Sequence, residues 1–298
     1  MSTPAPFGRV LTAMVTPFTK DGAFDADGAA ELARWLVAHG NDGLVLSGTT
    51  GESPTITVDE QIELWRVVRE AVDVPLVVGT GSNDTRHACM MTERAAEVGA
   101  DAALVVTPYY NRPSQAGLEA HFRAVAGASD LPLVLYDIPV RTGRKISTEV
   151  LVRLANEVPN IVGLKDAAGN AGETAQVVAG APEDFSLYSG DDSQTLPLLA
   201  VGAVGVIGVA THWCAPQMAE VVERALAGDL PAARRINAQL LDSYAFESGD
   251  DCPNPGPTKA MLAELGLPGG PCRPPMDVIP DGVRARARNV IDRLGRPV

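Results

Sequence analysis

The residue with the most chemical promise is Lys165, which closes the apolar run Ile161-Val162-Gly163-Leu164. A lysine at the end of such a run is partly desolvated. Desolvation lowers its pKa, and the neutral amine attacks a carbonyl carbon to form a Schiff base. The same position also suits a lysine that snorkels to solvent or pairs with Asp137, Asp166 or Asp191, and position does not choose between these readings. Tyr136 ends the preceding apolar run. Forming and dehydrating a carbinolamine needs a group that both gives and takes a proton. A phenol with a pKa near ~10 does this poorly alone, whereas a chain of hydroxyls relays the proton. Thr49, Thr50 and Tyr110 could supply that chain. Tyr136 as a simple amphipathic cap is the competing reading. Gly48 and Gly51 flank the two threonines in a turn whose N–H groups suit a carboxylate. Arg141 has the fork geometry to clamp a second carboxylate, or equally to form a surface ion pair.

These residues must be positioned, and the chain has a regular framework for it. Short apolar runs bounded by Gly or Pro occur at Val10–Phe18, Gly43–Ser47, Pro75–Thr80, Ala102–Thr107, Leu131–Tyr136, Ile161–Lys165, Phe185–Ser189 and Ala203–Ala210. None alternates with polar residues, which is the pattern of parallel strands covered on both faces. Helical periodicity fills the gaps at Asp27–Gly40, Asp59–Val72 (with Asp59 as N-cap), Thr85–Val98, Ala116–Ala128, Ser147–Glu157 and Gly172–Gly180. Eight βα units argue for a closed (β/α)8 TIM barrel, and the lack of G-x-G-x-x-G after the first strand counts against a dinucleotide fold. The predicted boundaries are a barrel over 1–226 and an all-helical appendage over 227–298, the latter packed on the barrel or on a neighbouring subunit. Its helices are expected at Asp229–Glu247, Thr258–Leu265 and Asp281–Leu294. In such barrels the chemistry lies at the C-terminal ends of the strands, where all the residues above fall.

Composition excludes several classes. Of 298 residues, 24 are basic and 37 acidic, giving a net charge of −13 that repels phosphate backbones and anionic lipid. Nucleic acid and membrane are therefore not expected partners. The four cysteines are scattered and four histidines show no ligand spacing, so no metal is expected. Ser193–Ala219 lacks charge entirely, but Pro197, Gly202, Gly205 and Gly208 interrupt it, and it reads as a short helix plus a buried strand. Met1–Arg9 has no basic segment followed by an apolar core, so the expectation is a cytoplasmic protein. Asp191-Asp192 is read as a helix cap. His212-Trp213 is expected either to line the site or, more simply, to form a packed loop. Asn83-Asp84-Thr85 matches a glycosylation sequon, meaningless in a cytoplasmic chain.

The motifs G-T-T-G-E-S (48–53), T-P-Y-Y-N-R-P-S-Q (107–115), Y-D-I-P-V-R-T-G (136–143), G-L-K-D-A (163–167), S-G-D-D (189–192), G-V-I-G (205–208) and N-P-G-P-T-K (254–259) occur in this order. Together they resemble the dihydrodipicolinate synthase family, within the pyruvate-dependent aldolases and lyases. The resemblance implies a condensation of pyruvate with L-aspartate 4-semialdehyde by a Schiff-base mechanism, without metal or organic cofactor. It implies that Lys165 forms the Schiff base and Tyr136 exchanges protons. Thr49 would continue the relay, with Tyr110 contributed by a neighbouring subunit of a homotetramer built as a dimer of dimers. Thr50 and the backbone of Ile207 would hold pyruvate, Gly190 would lie against substrate, and Arg141 would receive the carboxylate of the semialdehyde.

Some positions depart from the family pattern. Asp137 and Val140 stand where Asn and Ser are frequent, and Ala210–Cys214 is bulkier than usual. Lysine-inhibited relatives carry an acidic residue at the position of His87 and a histidine at that of Val58, so lysine feedback is expected to be weak or absent. Two other readings share the lysine and tyrosine: a lyase or aldolase for N-acetylneuraminate or 2-keto-3-deoxy sugar acids, and a barrel that binds a metabolite without turning it over. The paired threonines and Arg141 favour the synthase over the first, and retention of both Lys165 and Tyr136 argues against the second.

Overall fold

The computed structural model describes residues 5–249 and 251–295. Met1–Pro4, part of the segment read above for a leader, lie outside them. Eight strands are hydrogen-bonded in chain order into one closed parallel barrel, as the repeated βα pattern predicts. Strand β1 (Val10–Ala13) leads to α1 (Ala26–Ala38), β2 (Gly43–Leu46) to α2 (Val58–Ala71), and β3 (Leu76–Gly79) to α3 (Thr85–Glu97). Next come β4 (Ala102–Val106) with α4 (Gln115–Ala126), then β5 (Leu133–Asp137) with a four-residue α5 (Pro139–Thr142) and α6 (Thr148–Glu157). Strands β6 (Ile161–Asp166), β7 (Ser186–Ser189) and β8 (Gly205–Gly208) are followed by α7 (Ala171–Gly180), α8 (Thr195–Ala200) and α9 (Thr211–Leu226). The chain ends in α10 (Leu230–Glu247), α11 (Gly256–Leu265) and α12 (Val283–Leu294). Most strand residues are fully buried, which is why their sequences read as unbroken apolar runs.

The boundaries differ from the expectations where local hydrogen bonding intervenes. The first strand stops at Ala13, not Phe18. Beyond it Pro17 has no N–H to donate, and Phe18 forms an isolated antiparallel bridge with Phe24. The fifth begins at Leu133, past Pro132, and runs on to Asp137. The eighth keeps only Gly205–Gly208, because Ala210 already has helical dihedrals and caps α9. Asp59 is not the cap of α2. Thr57 is, with a complete capping box in which the Glu60 side chain accepts from the Thr57 N–H. Ser193–Ala219 resolves into the short helix α8, the buried strand β8 and the first turns of α9. No described helix is long and apolar enough to cross a membrane.

By internal contacts the chain forms two compact units. The first comprises Pro75–Ile207 with the N-terminal segment up to Arg9. In it the Arg9 guanidinium donates to the Val204 carbonyl (2.8 Å), and the Arg9 carbonyl accepts from Val206 N–H (2.8 Å). A Cβ on Gly205 would sit 2.0 Å from the Arg9 oxygen, so only glycine admits this crossing.

The second unit comprises Val10–Val74 and Gly208–Val298, so it joins β1 and β2 to the C-terminal helices. The Val15 N–H donates to His212 Nε2 (3.2 Å), and Thr12 meets Thr211 at 2.7 Å. Phe18 N–H reaches the Gly269 carbonyl (3.1 Å). His212 and Trp213 are therefore not a loop. They form the first turn of α9, buried, with the Trp213 indole N–H donating to Ser243 of α10 (3.0 Å).

Candidate active site

In the first unit, strand register does the positioning. Tyr136 on β5, Lys165 on β6 and Tyr188 on β7 are successive register partners, so their side chains leave one face at one level. Lys165 is 4% exposed, and its ammonium lies 4.4 Å from the Tyr136 ring centroid. Such a cation–π contact is worth most where water is excluded. A lysine this buried does not snorkel.

The three carboxylates that sequence offered as partners each serve their own loop. Asp137 accepts from Ile146 N–H (3.2 Å) and faces Lys145 at 3.9 Å, while Lys145 also pairs with Glu173. Asp166 accepts from Ala168 N–H (2.9 Å) and the Thr174 hydroxyl (2.6 Å). Asp191 accepts from the N–H (2.9 Å) and hydroxyl (2.7 Å) of Ser193, capping the 3-10 turn at Asp192–Gln194 as expected. Among the described residues no group of three or more His, Cys, Asp or Glu is arranged to hold a metal ion.

Two neighbours of Lys165 have specific shapes. A Cβ on Gly190 would stand 2.9 Å from Lys165 Cγ and 3.1 Å from Ala167 Cβ, so glycine lets β7 press against the lysine stem. Thr107, fully buried, donates both its hydroxyl (3.1 Å) and its N–H (3.0 Å) to the Tyr136 carbonyl. Sequence reasoning gave no role to Thr107 or Tyr188. The signal for Tyr188 was a phenol inside an otherwise small and aliphatic strand, one position from the S-G-D-D motif.

Asp137, beside Tyr136, is 1% exposed, and burial pushes its pKa up to about 7. The Ile146 N–H and Lys145 oppose that rise, whereas Asp166 and Glu173 add to it.

Tyr110 and Arg141 are placed differently. Tyr110 is 91% exposed with φ +71°, and Arg112 two residues on has φ +47°. The loop is held by Asn111 donating to the Asn83 carbonyl (2.8 Å) and Arg144 donating to the Arg112 carbonyl (3.2 Å). Within its own chain Tyr110 thus projects outward instead of packing beside Tyr136. Arg141 is exposed on α5, next to Val140 at 86% exposure. Ile207 is buried in β8.

In the second unit, the turn after β2 carries Thr49 and Thr50 and is bracketed by two non-glycine residues in the left-handed region, Ser47 (φ +53°) and Glu52 (φ +57°). Such conformations cost of order 1 kcal/mol each and persist where surroundings over-determine them. Here the surroundings are explicit. The Ser47 hydroxyl accepts from the Trp65 indole (2.9 Å), and Thr16 donates to the Gly51 carbonyl (2.6 Å). Glu52 pairs with the ammonium of Lys259 at 2.6 Å and accepts from Arg273 N–H (2.8 Å). Lys259 and Arg273 both lie over the Phe18 ring, 4.1 and 4.2 Å from its centroid. The guanidinium of Arg273 also pairs with Glu60, holding that carboxyl down at about 2. Thr50, 3% exposed, accepts from Asn254 Nδ2 (2.9 Å), and Asn254 Oδ1 accepts from the Thr258 hydroxyl (3.0 Å). The N-P-G-P-T-K motif thus reaches the turn, a link that spacing alone did not reveal.

Residues 6–293 match the sequence profile of the Dihydrodipicolinate synthetase family. The chain is 54% identical to the 4-hydroxy-tetrahydrodipicolinate synthase of Acidothermus cellulolyticus over 277 residues, 92% of this chain and 88% of the relative. It is 48% identical to that of Thermosynechococcus vestitus over 292 residues, 97% and 98% of the two chains. The crystal structure of DHDPS from Cyanidioschyzon merolae with lysine bound superposes with a TM-score of 0.94 at 42% identity, covering 97% of this chain and 98% of that one. A match this long, on this fold and with these motifs in place, shows that the chain belongs to the dihydrodipicolinate synthetase family.

Proposed function

We propose that this chain is a 4-hydroxy-tetrahydrodipicolinate synthase, a lyase that condenses pyruvate with L-aspartate 4-semialdehyde. The observation that carries the reading is Lys165, buried at the C-terminal end of β6 with its ammonium against the ring of its register partner Tyr136. Family membership supplies the substrates.

The chemistry follows from the amine. Neutral Lys165 Nζ attacks C2 of pyruvate, and the carbinolamine loses water to give an iminium. The iminium draws electrons from the methyl group, which loses a proton and becomes an enamine carbon. That carbon attacks the aldehyde of the second substrate, whose oxygen takes a proton to become the 4-hydroxyl. The substrate amine then attacks the iminium carbon, closes the ring and expels Lys165. Each proton step needs a donor and acceptor near Nζ, the role of Tyr136, relayed through Thr49 and a neighbouring subunit's Tyr110. Thr50 holds the pyruvate carboxylate, and the Ile207 backbone contacts the same substrate. Gly190 lies along the substrate edge of the lysine, and Arg141 takes the semialdehyde carboxylate.

The exposure of Tyr110 and Val140 supports a homotetramer in which another chain covers them. We place the protein in the cytoplasm. His87 on α3 and Val58 at the start of α2 support weak or absent inhibition by lysine, and strong inhibition of the purified enzyme at millimolar lysine would exclude it.

The decisive experiment is steady-state turnover of the two substrates, coupled to reduction of the cyclised product, in the native chain and in Lys165→Ala. Turnover that is lost in the variant is expected. Folded protein without turnover would overturn the reading. Borohydride trapping of a pyruvate adduct at Lys165 would then tell an aldolase with another aldehyde partner from a barrel that only binds.

A further inference from the structure

A threonine hydroxyl has one proton to give and two lone pairs to receive with. For Thr50 to hold an anion, its proton must face the ligand, an orientation favoured when another group donates to its lone pairs. In this chain Asn254 Nδ2 donates to Thr50 Oγ1 at 2.9 Å. Behind it, the buried Thr258 hydroxyl donates to Asn254 Oδ1 at 3.0 Å. The chain of donors runs one way, from Thr258 to Asn254 to Thr50, and leaves the Thr50 proton as its outward end. Next to Thr258 on α11, Lys259 grips Glu52 at the far side of the same turn (2.6 Å), and Arg273 N–H takes the other oxygen (2.8 Å). The strained dihedrals of Ser47 and Glu52 show that the turn holds a shape it would not adopt unaided.

We propose that Asn254 and Thr258 are positioning residues for pyruvate: they polarise the Thr50 hydroxyl so that it donates to the substrate carboxylate. This rests on the reading of Thr50 as the carboxylate-binding residue. The direction of the hydrogen bond, not merely its existence, is what matters. Asn254→Asp keeps the shape of the side chain but turns the donor into an acceptor. Thr50 then gives its only proton to the introduced carboxylate and presents lone pairs to an anion. A purely structural role predicts the opposite ranking, since the isosteric aspartate disturbs packing less than alanine does.

The test is steady-state kinetics in both substrates on the full-length enzyme, with Thr50→Val, Asn254→Ala, Asn254→Asp, Thr258→Val and Thr258→Ser. Loss of a hydrogen bond to a charged group corresponds to a KM for pyruvate raised about tenfold or more. We expect that rise in Thr50→Val and Asn254→Ala, and a larger one in Asn254→Asp. In the Asn254 and Thr258 variants the kcat at saturating pyruvate and the KM for the semialdehyde should change by less than about threefold. Thr258→Val, nearly isosteric, should raise the pyruvate KM, and Thr258→Ser should restore it. Asn254→Asp binding pyruvate as well as or better than Asn254→Ala would overturn the proposal, as would equal KM values in the two Thr258 variants. An unchanged KM in Thr50→Val would instead remove the reading of Thr50 itself. If the Asn254 variants fail to fold, the Thr258 pair decides alone.

Discussion

Asp137 shows how one residue couples protonation to stability. Its carboxyl is buried at the end of β5 with an N–H donor from Ile146 and a lysine 3.9 Å away, so the charged form is poorly compensated and the pKa is pushed up to about 7. In the unfolded chain an aspartate titrates near ~3.9. Between those values the folded state keeps a proton that the unfolded state has lost. Stability from this group is therefore full below about pH 4, declines as pH rises towards 7, and stays lost above it. At 1.36 kcal/mol per pKa unit the upper limit is about 4 kcal/mol. Asp137→Asn, which cannot ionise, should flatten that slope. In urea titrations we expect the variant to gain stability over the native chain at pH 8 and not at pH 4. Equal differences at both pH values would contradict the assignment. Sequence marked Asp137 as a departure beside Tyr136, but its charge state depends on its burial and on Lys145 and Ile146 facing it, which no local pattern encodes.

At the scale of elements, what was legible was whatever a local period or run can carry. The eight apolar runs became eight strands, and the strand-end motifs put Lys165 and Tyr136 on adjacent strands in register. What was not legible was contact across the chain. Nothing in N-P-G-P-T-K announces that Asn254 would meet Thr50, or that Lys259 would meet Glu52. For the same reason Met14–Phe18 read as strand: Met14 N–H still reaches the Val45 carbonyl, but Val15 N–H then turns to His212 and Phe18 N–H to the Gly269 carbonyl, partners far away in sequence. The Glu52–Lys259 pair gives this scale its prediction. Both side chains are almost wholly buried (2% and 3% exposed), and burial pulls the lysine pKa down. Removing one partner strands the other, which typically costs about 3–5 kcal/mol, whereas removing both costs far less. Lys259→Met should therefore lower the urea midpoint strongly, and Glu52→Gln combined with Lys259→Met should recover most of the loss. A mild Lys259→Met variant would show that the pair is not holding the turn.

For the whole molecule, the proposed use of Tyr110 by a neighbouring copy would make assembly part of the chemistry. The residue stands outward at 91% exposure in a backbone conformation that non-glycine residues seldom adopt. If the neighbouring copy uses it, specific activity should fall on dilution in step with dissociation followed by analytical ultracentrifugation. Tyr110→Phe should be impaired at every concentration. A fully active monomer would end that account. The same scale shows a consequence of the bond between Asn254 and Thr50, which joins residues 204 positions apart. On the ribosome, β8 emerges well before the helices that follow it. At 5–20 residues per second, roughly 5–20 s separate a chain with all its strands from a finished one. Asn254 is made only 46 residues after β8, so for about the first half of that interval the turn carrying Thr50 has no donor behind it. If Lys165 and Thr50 act as proposed, a chain terminated before Asn254 would bear the lysine without a competent grip on pyruvate, so synthesis itself would delay the enzyme's onset until the segment around α11 is delivered.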